Sequence, residues 1–191
     1  MSKQRPICHV VAGPNGSGKS TFALNYLPEF AGSIEYVNPD LMAQGLSPTD
    51  ITLSALKAGK LTLQRIADLV RDGVSFGFET TLSGRGHLKL LGDARKAGYA
   101  IHLYYLWMPS VKMLPSRIRH RVLAGGHDVP AGDVRRRYGR SVANVRDYAR
   151  LADVFRVFDA SDIKQRLIYT RNGKAFGYGP RVATMRKDLG L

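Results

Sequence analysis

The nine residues Gly13-Pro14-Asn15-Gly16-Ser17-Gly18-Lys19-Ser20-Thr21 constrain this chain more than any other segment. The first eight match G-x-x-x-x-G-K-[ST] in full, and the surroundings are those the pattern needs. Before them, Ile7–Ala12 reads ICHVVA, a continuous β-branched run of the kind buried on both faces of a parallel sheet. After them a helical pattern runs to about Phe30. A buried strand, a glycine-rich turn and a helix start make a cradle whose backbone N–H groups converge on phosphate oxygens. Lys19 adds a point charge for β- and γ-phosphates, and the Ser20 hydroxyl suits Mg²⁺. A plain glycine turn with a helix-capping serine is the bland alternative, and the flanking strand and helix weigh against it.

The rest of the chain alternates in the same way. Short strands are expected at 33–37, 74–78, Ala100–Trp107 and 154–158, with helical patterns over 41–70, 87–97, 110–126 and 133–151 between them. The stretch 45–50 marks a break in the first of these helical patterns, and Pro115 either starts or kinks the third. Residues 167–170 and 175–178 flank Asn172-Gly173, a strong hairpin signal. This order predicts an α/β P-loop NTPase fold. The expected form is a mostly parallel five-stranded sheet flanked by helices, with a C-terminal β-hairpin over about 165–180. At 191 residues and 44% hydrophobic the chain is expected to form one domain with a proper core. One cysteine excludes a disulfide scaffold or a Cys-rich zinc site. No apolar run approaches the roughly 20 residues of a membrane span, and no signal peptide is read at the start, so a cytoplasmic location with no membrane role is expected.

Charge divides the chain. Residues 1–109 carry a net +3 and residues 110–191 a net +11, with no Glu after Glu79. A basic half implies an anionic partner without choosing among nucleotides, sugar phosphates, nucleic acid, membrane surfaces and acidic proteins. Its arginines are spaced for helix faces: Arg117 with Arg121, and Arg136 with Arg140, beside Arg137. Phosphoryl transfer needs cations over the γ-phosphate, and arginines of a lid, here about 110–151, supply them; a solvated charged face is the alternative for each arginine alone.

Two acidic positions lie at strand ends on the loop's side of the sheet. Asp40 can accept a proton from an attacking hydroxyl or bind Mg²⁺, or it can simply cap the following helix. Glu79 is followed by Thr80 and Thr81, a cluster able to hold a substrate hydroxyl or orient metal-bound water, or merely to close a turn. Arg85 is an acceptor-side candidate beside the reading of a solvated loop cation. The histidines lack metal-like spacing, His127 in its glycine-rich loop included. Cys8, Tyr104, Tyr105 and Trp107 read as core.

Taken together, GPNGSGKST, NPD, ETTLSGR, YLWMPS, RVLAGGHDVP followed by DVRRRYGRS, and LADVFRVFDAS resemble the short zeta-toxin-like P-loop kinases, over about residues 6–163. The resemblance implies a kinase-like sheet and, through Lys19, binding of ATP phosphates. It implies that Asp40 is the base on a sugar hydroxyl, that Glu79-Thr80 is the acid-and-threonine patch, and that Arg121 and Arg137 are lid arginines. It further implies an unbroken helix where Pro115 stands, phosphorylation of UDP-N-acetylglucosamine, and a small antitoxin partner.

The sequence therefore points to a kinase moving the γ-phosphate of ATP, with Mg²⁺, onto a hydroxyl of a small anionic acceptor, expected to be a UDP-sugar. Lys19, Asp40, Arg121 and Arg137 would act in catalysis, Gly13 to Thr21 would hold the nucleotide with Ser20 on the metal, and Asp40, Glu79, Thr80 and Arg85 would meet the acceptor. The rival is a nucleic-acid-binding or polynucleotide-end-modifying P-loop protein, supported by the basic half and disfavoured by the lack of a nucleic-acid module. A third reading is an interaction protein with a regulatory nucleotide site, held by an acidic partner.

Overall fold

A computed structural model of the protein describes residues 5–32, 34–46, 51–123, 125 and 128–191. Seven strands form one sheet in the order β2-β3-β1-β4-β5-β6-β7. Five of them are parallel: β1 (Ile7–Ala12), β2 (Glu35–Val37), β3 (Phe76–Thr80), β4 (Ala100–Trp107) and β5 (Val154–Asp159). The hairpin of β6 (Arg166–Asn172) and β7 (Lys174–Gly177) is no separate appendage. It continues the sheet antiparallel to β5, turning at Gly173 with φ +74°.

β1 is flanked by partners on both edges, and its side chains alternate between two cores. Cys8, Val10 and Ala12 join Phe76, Phe78 and Trp107 beneath α4 (Ile51–Asp72), α5 (Gly86–Lys96), the later turns of α7 (Ala131–Leu151) and α8 (Val182–Leu189). Val11 joins Tyr104, Leu106 and Phe158 beneath α1 (Lys19–Asn25), α2 (Leu27–Ala31) and α6 (Leu114–Leu123), with Val134 from the first turn of α7. One helix, α7, thus serves both cores, its start through Val134 and its later turns through Val145, Tyr148 and Ala149.

Several boundaries differ from the sequence reading. β3 starts two residues late: Val74 N–H closes the preceding helix by donating to Leu69 O at 3.4 Å, and Ser75 Oγ accepts from Ile7 N–H at the start of β1 at 2.9 Å. Glu79 and Thr80 are therefore inside the strand, not after it. The helix after the phosphate loop is two helices, since Pro28 has no N–H to continue the ladder. The expected helix over 110–126 is a 3₁₀ turn (Val111–Met113) followed by α6, and Pro115 occupies its first turn, where no N–H is needed. Proline here starts a helix instead of kinking one. Ser33 and His127 lie outside the described residues. α8 was not anticipated; Met185 and Leu189 bury it against the sheet and α7. Among the described residues no helix is long and apolar enough to cross a membrane.

Candidate active site

The order of the strands reverses at β1, with β3 on one side and β4 on the other, so a crevice opens above its C-terminal end. The glycine-rich loop fills that position. Gly13 N–H donates to Thr80 O at 3.2 Å and Ser17 N–H to Pro14 O at 3.2 Å, which ties the loop to β3 and curls it. All three of its glycines are crowded, and at Gly13 a Cβ would stand 2.8 Å from the backbone oxygen of Leu106. At Gly16 (φ +80°) a Cβ would stand 3.1 Å from Ile118 Cγ1 of α6, and at Gly18 (φ +87°) 2.9 Å from the amide nitrogen of buried Gln165. The loop is thus gripped by the arginine-bearing helix on one side and the segment after β5 on the other. Buried Asn15 Oδ1 and Ser17 Oγ have no hydrogen-bond partner among the described residues, a cost the loop carries in holding its amides in this curve.

Lys19 folds back on the loop, its ammonium donating to Pro14 O at 3.2 Å. Burial draws its pKa below the ordinary lysine value; Glu79 and Asp40 pull it back up, while Arg121 and Arg137 push it further down. Those four groups, distant in sequence, share one electrostatic neighbourhood with Lys19. Arg121 lies on the α6 face that carries Ile118 toward the loop, and Arg137 lies in α7, its guanidinium 3.7 Å from Asp133 and half-buried. Arg136 pairs with Asp133 at 2.9 Å, and it and Arg140 stay in solvent. Tertiary packing brings Arg121 and Arg137 to bear on Lys19, and half-buried Arg117 has its Cβ beside Gly16.

Asp40 sits exposed in the first turn of α3 (Pro39–Leu46). It does not cap that helix. Asn38 does, its Oδ1 accepting from Asp40 N–H at 2.9 Å and Leu41 N–H at 3.1 Å. Glu79 is only 6% exposed, and its Oε2 accepts from Ser20 Oγ at 3.0 Å and from Tyr36 OH at 3.4 Å. Asn38 Nδ2 donates to Ser20 Oγ at 3.5 Å. Burial first, and the Glu79 carboxylate second, push the Tyr36 phenol well above its ordinary pKa, so it stays a donor. Beside Ser20 a pocket of about 580 Å³ opens between α1, α2 and β2; its walls include Leu24, Leu27, Ile34 and Leu41, and no charged side chain lines it among the described residues.

The loop after β3 is held from the far side. Thr80 Oγ1 accepts from Leu82 N–H at 3.2 Å, and Leu82 is a buried non-glycine residue at φ +53°. From α7, Asn144 Nδ2 donates to Leu82 O at 2.7 Å and Tyr148 OH to Gly84 O at 2.8 Å. Arg85 joins this clamp: it pairs with Asp147 at 2.8 Å and is otherwise exposed. Its partner is thus on α7. Sequence reading missed Tyr36, Asn38, Asn144, Tyr148 and Gln165. Only Asn38 carried a signal, as the cap residue preceding Pro39-Asp40.

A phosphate loop at the reversal of a parallel sheet, its lysine within the electrostatic reach of two arginines and two carboxylates, defines a P-loop kinase, an ATP-dependent phosphotransferase. A sequence model of the zeta toxin family matches residues 1–181, and the chain belongs to that family. An uncharacterized protein of Haemophilus influenzae is 31% identical over 126 residues, spanning 66% of this chain and 88% of its own length. Among solved structures, the PezAT chromosomal toxin–antitoxin system of Streptococcus pneumoniae aligns with a TM-score of 0.69 at 17% identity, covering 98% of this chain and 79% of that one. The AvrRxo1-ORF1:-ORF2 structure with ATP gives 0.74 at 17% identity and 97% coverage, this chain spanning 64% of that one. A gluconokinase from Sinorhizobium meliloti 1021 shares the fold at 0.53 and 17% identity, with 98% and 92% covered.

Proposed function

We propose that the protein transfers the γ-phosphate of ATP to a hydroxyl of a small anionic acceptor, a UDP-sugar such as UDP-N-acetylglucosamine. The observation that carries this reading is the phosphate loop at the sheet reversal, with Ser20 hydrogen-bonded to Glu79 and Lys19 in the electrostatic reach of Asp40, Arg121 and Arg137. The acceptor hydroxyl gives its proton to the Asp40 carboxylate as its oxygen bonds to the γ-phosphorus, and the bond from phosphorus to the β–γ bridging oxygen breaks to release ADP. Lys19 and the amides of Gly13 to Thr21 hold the phosphates, and Arg121 and Arg137 meet the charge that builds on the transferring group.

Ser20, backed by Glu79, fits Mg²⁺: with its hydrogen given to Glu79 Oε2, the Ser20 oxygen keeps a lone pair for a hard cation. That cation would supply charge neutralisation between the β- and γ-phosphates. Glu79 and Thr80 form the acceptor-side wall, and we assign Arg85 to anchoring that wall through Asp147. The apolar lining beside Ser20 supports a reading in which the charged part of the acceptor lies on the arginine side.

The test is ATP consumption by purified protein against a panel of UDP-sugars, with products read by mass. A sugar nucleotide about 80 Da heavier establishes the reaction and names the acceptor. ATP binding with no sugar nucleotide modified refutes the UDP-sugar reading while leaving the nucleotide site. One observation favours the nucleic-acid reading: exposed Arg119, Arg135 and Arg140 have no carboxylate partner among the described residues. Polynucleotide affinity falling steeply with salt would support it. The PezAT and AvrRxo1 structures are of toxin–antitoxin and ORF1:ORF2 assemblies, and by likeness we extend a small antitoxin-like protein partner to this chain.

A further inference from the structure

Tyr36 has no place in the scheme above, yet the fold makes specific room for it. In the parallel pair β2·β3 it stands opposite Gly77, and Glu79 is two residues further along β3, on the same face as Gly77. A Cβ at Gly77 would meet Tyr36 Cδ2 at 2.8 Å, Leu27 Cδ2 at 3.1 Å and Ile34 Cδ1 at 3.3 Å. The phenol ring therefore occupies space that a side chain at Gly77 would take. From there its hydroxyl donates to Glu79 Oε2 at 3.4 Å, the same oxygen that takes the Ser20 hydrogen at 3.0 Å.

We propose that Tyr36 is a positioning residue for the divalent cation of this site: through Glu79 it fixes the rotamer of Ser20, and Gly77 is the residue that lets it do so. The inference rests on the phosphotransferase reading and adds to it a residue that touches neither nucleotide nor metal. A serine hydroxyl can turn its hydrogen or its lone pair toward a cation. The carboxylate behind it decides the matter by accepting the hydrogen, but only while that carboxylate holds still. Glu79 is held at one oxygen by two donors from different elements, Ser20 from α1 and Tyr36 from β2. Loss of the phenol hydroxyl leaves the ring packed against Gly77 and frees the carboxylate to turn from Ser20.

The experiment is ADP binding to purified protein, measured by calorimetry with excess Mg²⁺ and again with EDTA, on the wild type, Tyr36→Phe and Gly77→Ala. Tyr36→Phe is expected to weaken binding about fivefold in Mg²⁺ and to leave it unchanged in EDTA, with the thermal midpoint held, since a long hydrogen bond acting through one intermediary is a modest contribution. Gly77→Ala, which displaces the ring, is expected to show the same Mg²⁺-only loss at equal or larger size. Unchanged affinity in Mg²⁺ for Tyr36→Phe overturns the proposal, and so does an equal loss with and without Mg²⁺, which would mean packing alone. A wild type whose ADP affinity is indifferent to Mg²⁺ instead overturns the metal assignment of Ser20 on which the proposal stands.

Discussion

Replacing Asp40 with Asn separates chemistry from binding and folding in this site. The exchange keeps the shape and removes one negative charge. The backbone N–H of Asp40 stays bound to Asn38 Oδ1, and the exposed side chain has no packing to lose. The folding cost is that of a lost acidic group in a helix first turn, about 0.3–1 kcal/mol. At this chain length that lowers the thermal midpoint by roughly 1–4 °C. Asp40 also pulls the Lys19 pKa upward, so its loss nudges Lys19 toward the neutral form while relieving repulsion of the phosphates. These two effects oppose each other, and ATP affinity should stay within about threefold. Turnover should not. A positioned general base is worth about 10²–10⁴-fold, equivalent to about 3–5 kcal/mol of barrier. The assay is steady-state ATP consumption with the identified acceptor, alongside ATP binding by calorimetry. Turnover within threefold of wild type refutes the base assignment; loss of ATP binding together with turnover refutes the separation of roles.

Gly18→Ala forces a side chain to φ +87° and a Cβ to 2.9 Å from Gln165 Nε2; ADP affinity should fall at least about tenfold, read by calorimetry, because the amides of the loop shift with the backbone. Tyr105→Phe leaves buried Ser141 Oγ without the hydroxyl that lies 3.1 Å away, and should cost about 1–3 kcal/mol in denaturant unfolding with kcat unchanged. His9 is 1% exposed, and burial first, then His102 and Arg156, hold its pKa down to about 4. The unfolded chain therefore binds the proton more readily than the fold, so stability is whole above about pH 6.5 and falls as pH drops from there toward 4, by up to about 3 kcal/mol. A His9→Gln variant should show a shallower loss in urea titrations across that window, and an identical slope would remove His9 from the explanation.

The phosphate loop was legible because its chemistry is local: a strand, a turn and a helix start lie within about fifteen residues, and the glycine spacing is fixed by the backbone path itself. The central parallel strands were legible for the same reason, since burial on both faces writes a largely apolar run; the edge strand β2, with Glu35 exposed, wrote only a short one. Asp40 was visible as a carboxylate at a strand end, but whether it capped a helix was not, because capping depends on which residue first takes helical dihedrals. The structure gives that place to Asn38. The lid shows the limit more sharply. Seven arginines between 117 and 140 look alike in sequence. Arg121 and Arg137 are set apart only when α6 packs Ile118 onto Gly16 and α7 crosses from one core to the other.

Sequence alone, then, determined the class of fold and the atoms that cradle phosphate, both products of short-range geometry and one-dimensional burial patterns. The tertiary structure decided which charges share that cradle, how Arg85 was drawn to Asp147, and how Tyr36 came to reach Glu79 across an absent side chain. Those outcomes depend on contacts between residues 21 to 118 positions apart, where register and helix packing, not composition, fix which groups meet.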